Sequence, residues 1–190
     1  MIYASSSSVY GDQEKMPLTE DMAVTPISPY ALQKYMGEEY CRLFSYVYKL
    51  PTVCLRYFNV YGPRMATEGA YASVVSIFGQ QRQEGEPLTV AGDGTNLRTY
   101  TYVEDIIKAN ILAAKSDIAD GRAINAGQST EYTVNQIAKI FGGPTAKIAF
   151  RIEPVRNLCS NVLAKKLLGW QPTMDLPEWL ENYFKKEMGF

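Results

Sequence analysis

The chain has 190 residues, 46% of them hydrophobic and 21% charged, which is the balance of a globular protein with a real hydrophobic core. Its 19 lysines and arginines nearly balance 20 acidic residues, and the net charge of −1 excludes the basic surface of a typical nucleic-acid-binding domain. The absence of histidine excludes histidine-based catalytic triads and histidine metal sites.

The first part of the chain predicts a strand–helix–strand unit. Residues 1–6 form an apolar run typical of a buried parallel strand, and residues 52–58 form a second. Between them, Ser28-Pro29 predicts the start of a helix that ends near Lys49, because serine caps helices and proline suits their first position. Apolar residues recur along it at helical spacing and predict its buried stripe: Leu32, Met36, Tyr40, Leu43 and Val47. This order favours a parallel sheet, with residues 2–5 beside residues 52–58.

Beyond Asn59 the pattern changes to shorter elements. Gly92-Asp93-Gly94 predicts a tight turn rather than a phosphate cradle. The predicted strands cover residues 88–90, 98–102 and 123–125. The predicted helices cover residues 71–84, 103–115, 133–141, 161–169 and 176–188. Such a mixture of short strands and helices is typical of a small substrate-binding lobe.

The cysteine spacing and the hydropathy indicate the cellular compartment and the kinds of site to expect. Cys41, Cys54 and Cys159 form no CxxC pair, so we expect neither a zinc site nor a disulfide scaffold, and the composition suits a reducing cytoplasm. No apolar run approaches the roughly 20 residues of a membrane helix, so no membrane association is predicted. We also predict no metal centre.

Two polar features could carry chemistry. Tyr30 and Lys34 stand four residues apart, which places them on one face of the predicted helix. An ammonium beside a phenol stabilises the phenolate, and a phenolate can exchange a proton with a substrate hydroxyl. Ser5 to Ser8 end the first strand, where parallel sheets bind ligands. Taken alone, each feature has a simpler interpretation, as an ordinary surface pair and as a polar turn.

Several motifs, taken together in chain order, favour a chemical role for these residues over the simpler interpretations. They are YASSSSVYG, SPYALQK, LRYFNVYGPR, GAYASVV, LTVAGDGTNLRTYTYVEDI, RIEPVR and KKLLGWQP. With them the chain resembles the extended short-chain dehydrogenase/reductase superfamily, and within it the NAD-dependent epimerases and dehydratases, above all UDP-sugar 4-epimerases. The resemblance implies an α/β fold, with a partial Rossmann-like parallel sheet that contains only the late strands and a smaller mixed α/β substrate-binding lobe. Residues 1–60 would be the carboxy-terminal part of the dinucleotide-binding domain. Residues 61–190 would be mostly substrate lobe, with segments near 98–125 returning to the sheet.

The resemblance also implies a catalytic set of Ser6, Tyr30 and Lys34. Tyr30, as phenolate, would take the proton of the sugar 4-hydroxyl while a hydride leaves C4 for NAD, and Ser6 would hold that hydroxyl. Lys34 would support the phenolate and bind the nicotinamide ribose, with Tyr30 and Tyr57 also touching the cofactor. The 4-keto sugar would then turn and take the hydride back on its other face. Ser7-Ser8 stands where dehydratase relatives carry Asp-Glu, which favours an epimerase.

The implied substrate is a UDP-sugar or a related nucleotide-sugar. Asn59, Arg98 and Arg151 match the residues that contact the diphosphate, and Arg156 is an alternative for the last of them. Arginine suits this role because its planar fork binds phosphate oxygens in pairs. Without the resemblance, each arginine would be interpreted as a solvated surface charge. Leu158, or a residue beside it, falls at the gate position that decides whether an N-acetyl group fits.

The sequence contains no Gly-rich dinucleotide fingerprint, the turn that holds the pyrophosphate of NAD. We therefore expect an N-terminally incomplete chain with an exposed sheet edge. It would form a homodimer or pair with a chain that supplies the missing strands. Two alternatives to an enzyme remain open: an inactive nucleotide-sugar-binding fragment that does not hold NAD, and a structural protein that dimerises through the sheet edge.

Overall fold

The structure is a computed structural model that describes residues 1–69, 72–149, 154 and 156–184. Ten strands lie in this part of the chain: β1 (Ile2–Ser6), β2 (Val53–Tyr57), β3 (Val60–Tyr61), β4 (Leu88–Ala91), β5 (Leu97–Thr99), β6 (Thr101–Tyr102), β7 (Ala123–Ala126), β8 (Glu131–Thr133), β9 (Thr145–Ile148) and β10 (Arg156–Asn157). Six α-helices accompany them: α1 (Pro29–Tyr48), α2 (Val74–Glu84), α3 (Val103–Lys115), α4 (Val134–Phe141), α5 (Val162–Leu168) and α6 (Leu176–Trp179). A 3₁₀ turn (Ser7–Tyr10) follows β1, and a π-helical turn (Leu180–Phe184) follows α6.

The main sheet consists of β1, β2 and β7, all parallel, with β2 in the middle. β1 pairs with β2 along its whole length, which confirms the predicted neighbourhood of the first two strands. One face of this sheet packs against α3 and α5 around Leu55, Ile124 and Trp170. The other face packs against α1. The chain therefore folds as an α/β protein with parallel strands.

The predicted buried stripe of α1 is wrong. Its members are about half exposed, from 48% at the first to 59% at the third: Leu32, Met36, Tyr40, Leu43 and Val47. The buried residues of the helix are instead small or polar: Ala31, Glu38, Cys41 and Ser45. Hydropathy periodicity found a real apolar face, but the sheet surface under α1 carries polar side chains, and Glu38 and small residues pack against it. Among the described residues nothing covers the apolar face.

Much of the chain beyond Asn59 surrounds a separate core. Three small sheets contribute to it, in the strand orders β10-β5-β8, β3-β6 and β4-β9. Its fully buried side chains include Phe78, Leu88, Ile137 and Leu176. The single strand predicted over residues 98–102 is in fact two strands that break at Tyr100. The break occurs because β5 pairs with β8 and β10, whereas β6 pairs with β3.

Most predicted helices appear close to their expected bounds. The helix predicted at 103–115 is confirmed as α3, and the one at 133–141 as α4. The helix predicted at 176–188 is a short α6 followed by the π-helical turn, and its last residues lie outside the described ones. Within the described part of the chain, no helix combines the length and apolar character needed to cross a membrane.

Candidate active site

A cleft of about 1150 Å³ opens beside the carboxyl ends of β1 and β2. Six of the residues predicted from the sequence line it: Ser6, Tyr30, Lys34, Tyr57, Asn59 and Arg98. They come from β1, α1, β2, the loop after β2 and β5, so tertiary folding brings them together. The seventh, Arg151, lies outside the described residues. Lys34 and Arg98 are cationic, and no acidic side chain is found among the described residues of the lining.

Ser6 is held at the rim by the turn that follows its strand. It is extended and serves as the N-cap of the 3₁₀ turn. Its Oγ accepts hydrogen bonds from the Ser8 backbone N–H (3.2 Å) and from Ser8 Oγ (3.0 Å). The run of serines is therefore a polar turn, as the simpler interpretation expected, and Ser5 to Ser8 also line the cleft.

Tyr30 and Lys34 are placed by the first turns of α1. The helix begins at Pro29 because Ser28 Oγ accepts a hydrogen bond from the Ala31 N–H (3.1 Å), the capping arrangement predicted from the sequence. Lys34 Nζ donates to the carbonyl oxygen of Ala4 on β1 (2.9 Å). The same ammonium lies 5.7 Å from the centroid of the Tyr30 ring. The pair is thus anchored to the sheet rather than free on the surface.

Lys34 also has a second aromatic neighbour. The ring of Tyr3 on β1 lies 5.7 Å from Lys34 Nζ, the same distance as the ring of Tyr30. The negative face of an aromatic ring attracts a cation at this range. The lysine is therefore bracketed by two phenol rings and a backbone carbonyl, which restricts where its charge can lie.

Tyr57 ends β2 and lines the floor of the cleft. Its hydroxyl donates to Asn110 Oδ1 on α3 (2.9 Å). Burial raises the pKa of this phenol, and the hydrogen bond with Asn110 only partly offsets that effect. Tyr57 is therefore a neutral side chain whose polar end is engaged with α3.

Asn59 and Arg98 add polar groups to the cleft from the loop after β2 and from β5. Asn59 has a positive φ of 34°, a conformation that asparagine tolerates better than most residues, and its Nδ2 donates to the Thr99 carbonyl (2.7 Å). Arg98 is 9% exposed, and its Nη1 donates to the Leu97 carbonyl (2.9 Å). The arginine is thus a buried side chain of β5 that reaches the cleft, not a solvated surface charge.

Asn157 lines the cleft and was missed by the sequence analysis, which placed the gate at or beside Leu158. Its Nδ2 donates to Ser7 Oγ (3.1 Å), whereas its Oδ1 is buried with no hydrogen-bond partner among the described residues. Leu158 is not part of the lining. The only signal in the sequence was the neighbourhood of the gate motif, since an isolated asparagine carries no pattern.

The remaining candidates lie away from the cleft. Arg156, the alternative phosphate-binding arginine, pairs with Glu131, and its Nε donates to Glu131 Oε1 (2.8 Å). The three cysteines are free and buried, and burial raises the pKa of each thiol: Cys41, Cys54 and Cys159. A raised thiol pKa makes a reactive thiolate scarce. No cluster of potential metal ligands occurs among the described residues.

Comparison with known proteins finds a family profile and individual relatives that point to the same family. The sequence profile of the "NAD dependent epimerase/dehydratase family" matches residues 1–127. The UDP-glucose 4-epimerase of Mycolicibacterium smegmatis is 34% identical over 182 residues, which cover 92% of this chain and 58% of that protein.

Solved structures agree with the sequence relatives. The UDP-glucose 4-epimerase of Thermotoga maritima with UDP-glucose superposes with a TM-score of 0.88 at 35% identity, over 98% of this chain and 63% of that one. The UDP-glucuronic acid 4-epimerase of Bacillus cereus, in complex with UDP-glucuronic acid and NAD, gives a TM-score of 0.85 at 32% identity, over 98% and 61%. The chain spans about 60% of the length of these relatives. It belongs to the NAD-dependent epimerase/dehydratase family and is similar to its UDP-sugar 4-epimerases.

Proposed function

We propose that this chain carries the catalytic residues and the substrate-binding lobe of a nucleotide-sugar 4-epimerase. The proposal rests on one observation: Ser6, Tyr30 and Lys34 line the same cleft, although they come from a strand end and a helix. Lys34 is fixed to the Ala4 carbonyl beside the Tyr30 ring. A phenol beside an ammonium is the arrangement that a proton-exchanging tyrosine needs.

Each member of the set has a distinct task. Tyr30 takes the proton from the sugar 4-hydroxyl and later returns it, acting first as base and then as acid. Ser6 orients that hydroxyl from the end of β1. Lys34 stabilises the negative charge on the Tyr30 oxygen. NAD, when bound, supplies the oxidant that accepts the hydrogen of C4 and gives it back.

The residues present fit one end of NAD. Lys34 and Tyr30 provide polar groups at the carboxyl ends of parallel strands, where α/β sheets bind such ligands, and they suit the hydroxyls of the nicotinamide ribose. Tyr57 borders the same part of the cleft. We assign residues 1–60 to the dinucleotide-binding domain. Residues 61–190 form mostly the substrate lobe, with segments near 98–125 returning to the sheet.

The charge of the cleft suits a nucleotide-sugar. Its described lining contains two cations and no carboxylate, which favours an anionic ligand such as a diphosphate. Arg98 and Asn59 contact that diphosphate, together with Arg151. Asn157 faces the sugar, where its buried Oδ1 can accept a hydrogen bond from a hydroxyl or an amide N–H.

Two uncovered surfaces suggest a partner. β1 is an edge strand of the described main sheet, and the apolar face of α1 lies exposed. Exposed edges and apolar patches favour association. A second copy of this chain is the simplest partner, and a chain that supplies further strands of the sheet is the alternative.

The function is tested by proton NMR of UDP-hexoses incubated with the protein and NAD. UDP-glucose, UDP-N-acetylglucosamine and UDP-glucuronic acid form a suitable panel, because C4 epimers differ in the signal of the sugar H1. We expect one of them to yield its C4 epimer, and Ser6→Ala to slow that conversion. Binding of a UDP-sugar without epimerisation, in a protein shown to bind NAD, would favour the binding-protein alternative instead.

A further inference from the structure

Buried polar side chains form a row across the surface of the main sheet that faces α1. Ser5 lies opposite Arg56, and Arg56 lies opposite Asn125, in the parallel register of the three strands. All three residues are buried, Arg56 with only 4% of its surface exposed. The next residues along β1 and β2 are Ser6 and Tyr57, which line the cleft. Along β1 and β2, the row therefore lies one residue before the residues that line the cleft.

Glu38 of α1 completes this row from the helix side. Its Oε1 accepts hydrogen bonds from Ser5 Oγ and from Arg56 Nε (2.9 Å), and its Oε2 accepts from Arg56 Nη2 (2.7 Å). Glu38 is 5% exposed, so water screens neither partner. A two-pronged contact of this kind fixes orientation as well as distance. The ion pair therefore ties one point of α1 to one point of β2.

Single hydrogen bonds also hold α1: Lys34 Nζ donates to the Ala4 carbonyl (2.9 Å), the Cys41 carbonyl accepts from Thr52 Oγ1 (3.0 Å), and Ser45 Oγ donates to the Ala119 carbonyl. Each is less directional than the two-pronged ion pair. Apart from Glu38, the buried residues of α1 are small: Ala31, Cys41 and Ser45. Small side chains make shallow ridges, so they interlock weakly with the sheet. The ring of Tyr3 lies against Gly37 and adds one larger contact. Tyr35 packs against the core around Val9 and Phe58, whereas the other bulky apolar side chains of the helix lie on its exposed face and do not fix its position.

We infer that Glu38 and Arg56 are positioning residues, which hold α1 in the register that keeps Tyr30 and Lys34 at the Ser6 end of the sheet. Lys34 and Tyr30 precede Glu38 by one and two helical turns on the same face of α1. A slide of α1 along its axis by the rise of one residue would displace its side chains by about 1.5 Å and break the ion pair. The catalytic consequence rests on the proposed function, whereas the geometric role does not.

Stability alone is a poor explanation for this pair. Buried ion pairs lose hydration on folding, and their replacement by apolar residues of similar size is often neutral or stabilising. Directional hydrogen bonds, by contrast, distinguish one register from another, as buried polar pairs do between packed helices. The two roles therefore predict different behaviour for an apolar replacement of both partners.

The test is the double substitution Glu38→Met with Arg56→Met, which removes both charges and leaves neither unpaired. In the 190-residue chain labelled with ¹³C at lysine and tyrosine, the wild type should show nuclear Overhauser effects between the Lys34 side chain and the Tyr3 ring. We expect the double variant to keep its fold and melting temperature but to lose most of this contact. In the assembly that shows epimerase turnover, kcat should fall on the order of 100-fold with KM little changed.

Asp105→Asn is the matched control, because it removes the charge of another buried carboxylate. Asp105 lies on α3, where it accepts hydrogen bonds from Thr173 N (2.8 Å) and Met174 N (3.2 Å). It should lower the melting temperature and leave the Lys34–Tyr3 contact and kcat in place.

Retention of both the Lys34–Tyr3 contact and kcat in the double Met variant would overturn the inference. Failure of the double Met variant to fold would also overturn the inference, since the ion pair would then serve the stability of the fold rather than the position of α1 on the sheet. The single substitution Glu38→Gln keeps one carbonyl oxygen that can accept from Ser5 Oγ and Arg56 Nε, loses the acceptor of Arg56 Nη2, and should retain more of the contact than the double variant. The NMR result needs no activity, so a wild-type protein without turnover would refute the proposed function and leave the positioning role to be decided by the spectra.

Discussion

Replacing Tyr30 by Phe removes one oxygen from the centre of the candidate site and little else. The side chain is 38% exposed, and its ring can stay beside Lys34, whose hydrogen bond to the Ala4 carbonyl does not involve the phenol. Loss of a general base typically costs about 10²–10⁴ in rate, equivalent to roughly 3–5 kcal/mol in the activation barrier. The stability cost should be about 1 kcal/mol or less, the range of one hydrogen bond.

The assay for Tyr30→Phe is epimerase turnover in the assembly that binds NAD, together with UDP-sugar binding by calorimetry. We expect turnover to collapse while binding stays close to the wild type. Tyr40→Phe is the matched control, because it deletes the same atom from the same helix at a side chain that is 59% exposed and does not line the cleft. Undiminished turnover in Tyr30→Phe would show that another group exchanges the proton.

Three further substitutions test the diphosphate site, the packing of α1 on β1 and the apolar face of α1. Arg98→Ala should weaken binding of UDP by ~1.5–3 kcal/mol in calorimetry, the range for a charged hydrogen bond, and unchanged affinity would remove Arg98 from the diphosphate site. Gly37→Ala would place a Cβ 2.1 Å from the Tyr3 hydroxyl oxygen, so urea unfolding should show a loss of about 1–3 kcal/mol, and unaltered stability would argue against the close packing of α1 on β1. Leu43→Glu puts a charge on the exposed face of α1, and sedimentation should show less self-association than in the wild type, whereas identical behaviour would place the contact elsewhere.

The sequence was most informative where a local pattern determines structure. Ser28-Pro29 predicted the start of α1 because capping is a local interaction, and the hydroxyl does accept the expected backbone N–H. Apolar runs predicted the pairing of β1 with β2, since continuous apolar runs are typical of buried parallel strands. The motif matches likewise selected residues that line one cleft.

Local pattern failed where the neighbouring element decides the outcome. The apolar stripe of α1 was found correctly, but whether it is covered depends on surfaces that are remote in sequence. The strand predicted over residues 98–102 breaks at Tyr100 because its two halves pair with different strands, and periodicity contains no information on pairing partners.

Buried polar groups were the hardest features to predict. Glu38 and Arg56 resemble solvated charges in the sequence, and only the packing of α1 on the main sheet shows that they meet in the interior. Asn157 acquires its significance from its place in the cleft lining and from a buried oxygen atom without a hydrogen-bond partner among the described residues, both of which depend on the path of β10 beside β5.

In the proposed reaction, Ser6, Tyr30 and Lys34 support removal and return of the hydrogen at C4 of a nucleotide-sugar. The most direct measurement uses a UDP-sugar deuterated at C4 and locates the deuterium in the product by NMR and mass spectrometry. We expect a C4 epimer that retains its deuterium, because the hydrogen leaves and returns without contact with water. Loss of the deuterium to solvent, or the absence of any C4 epimer from a protein that binds both NAD and the sugar, would contradict it.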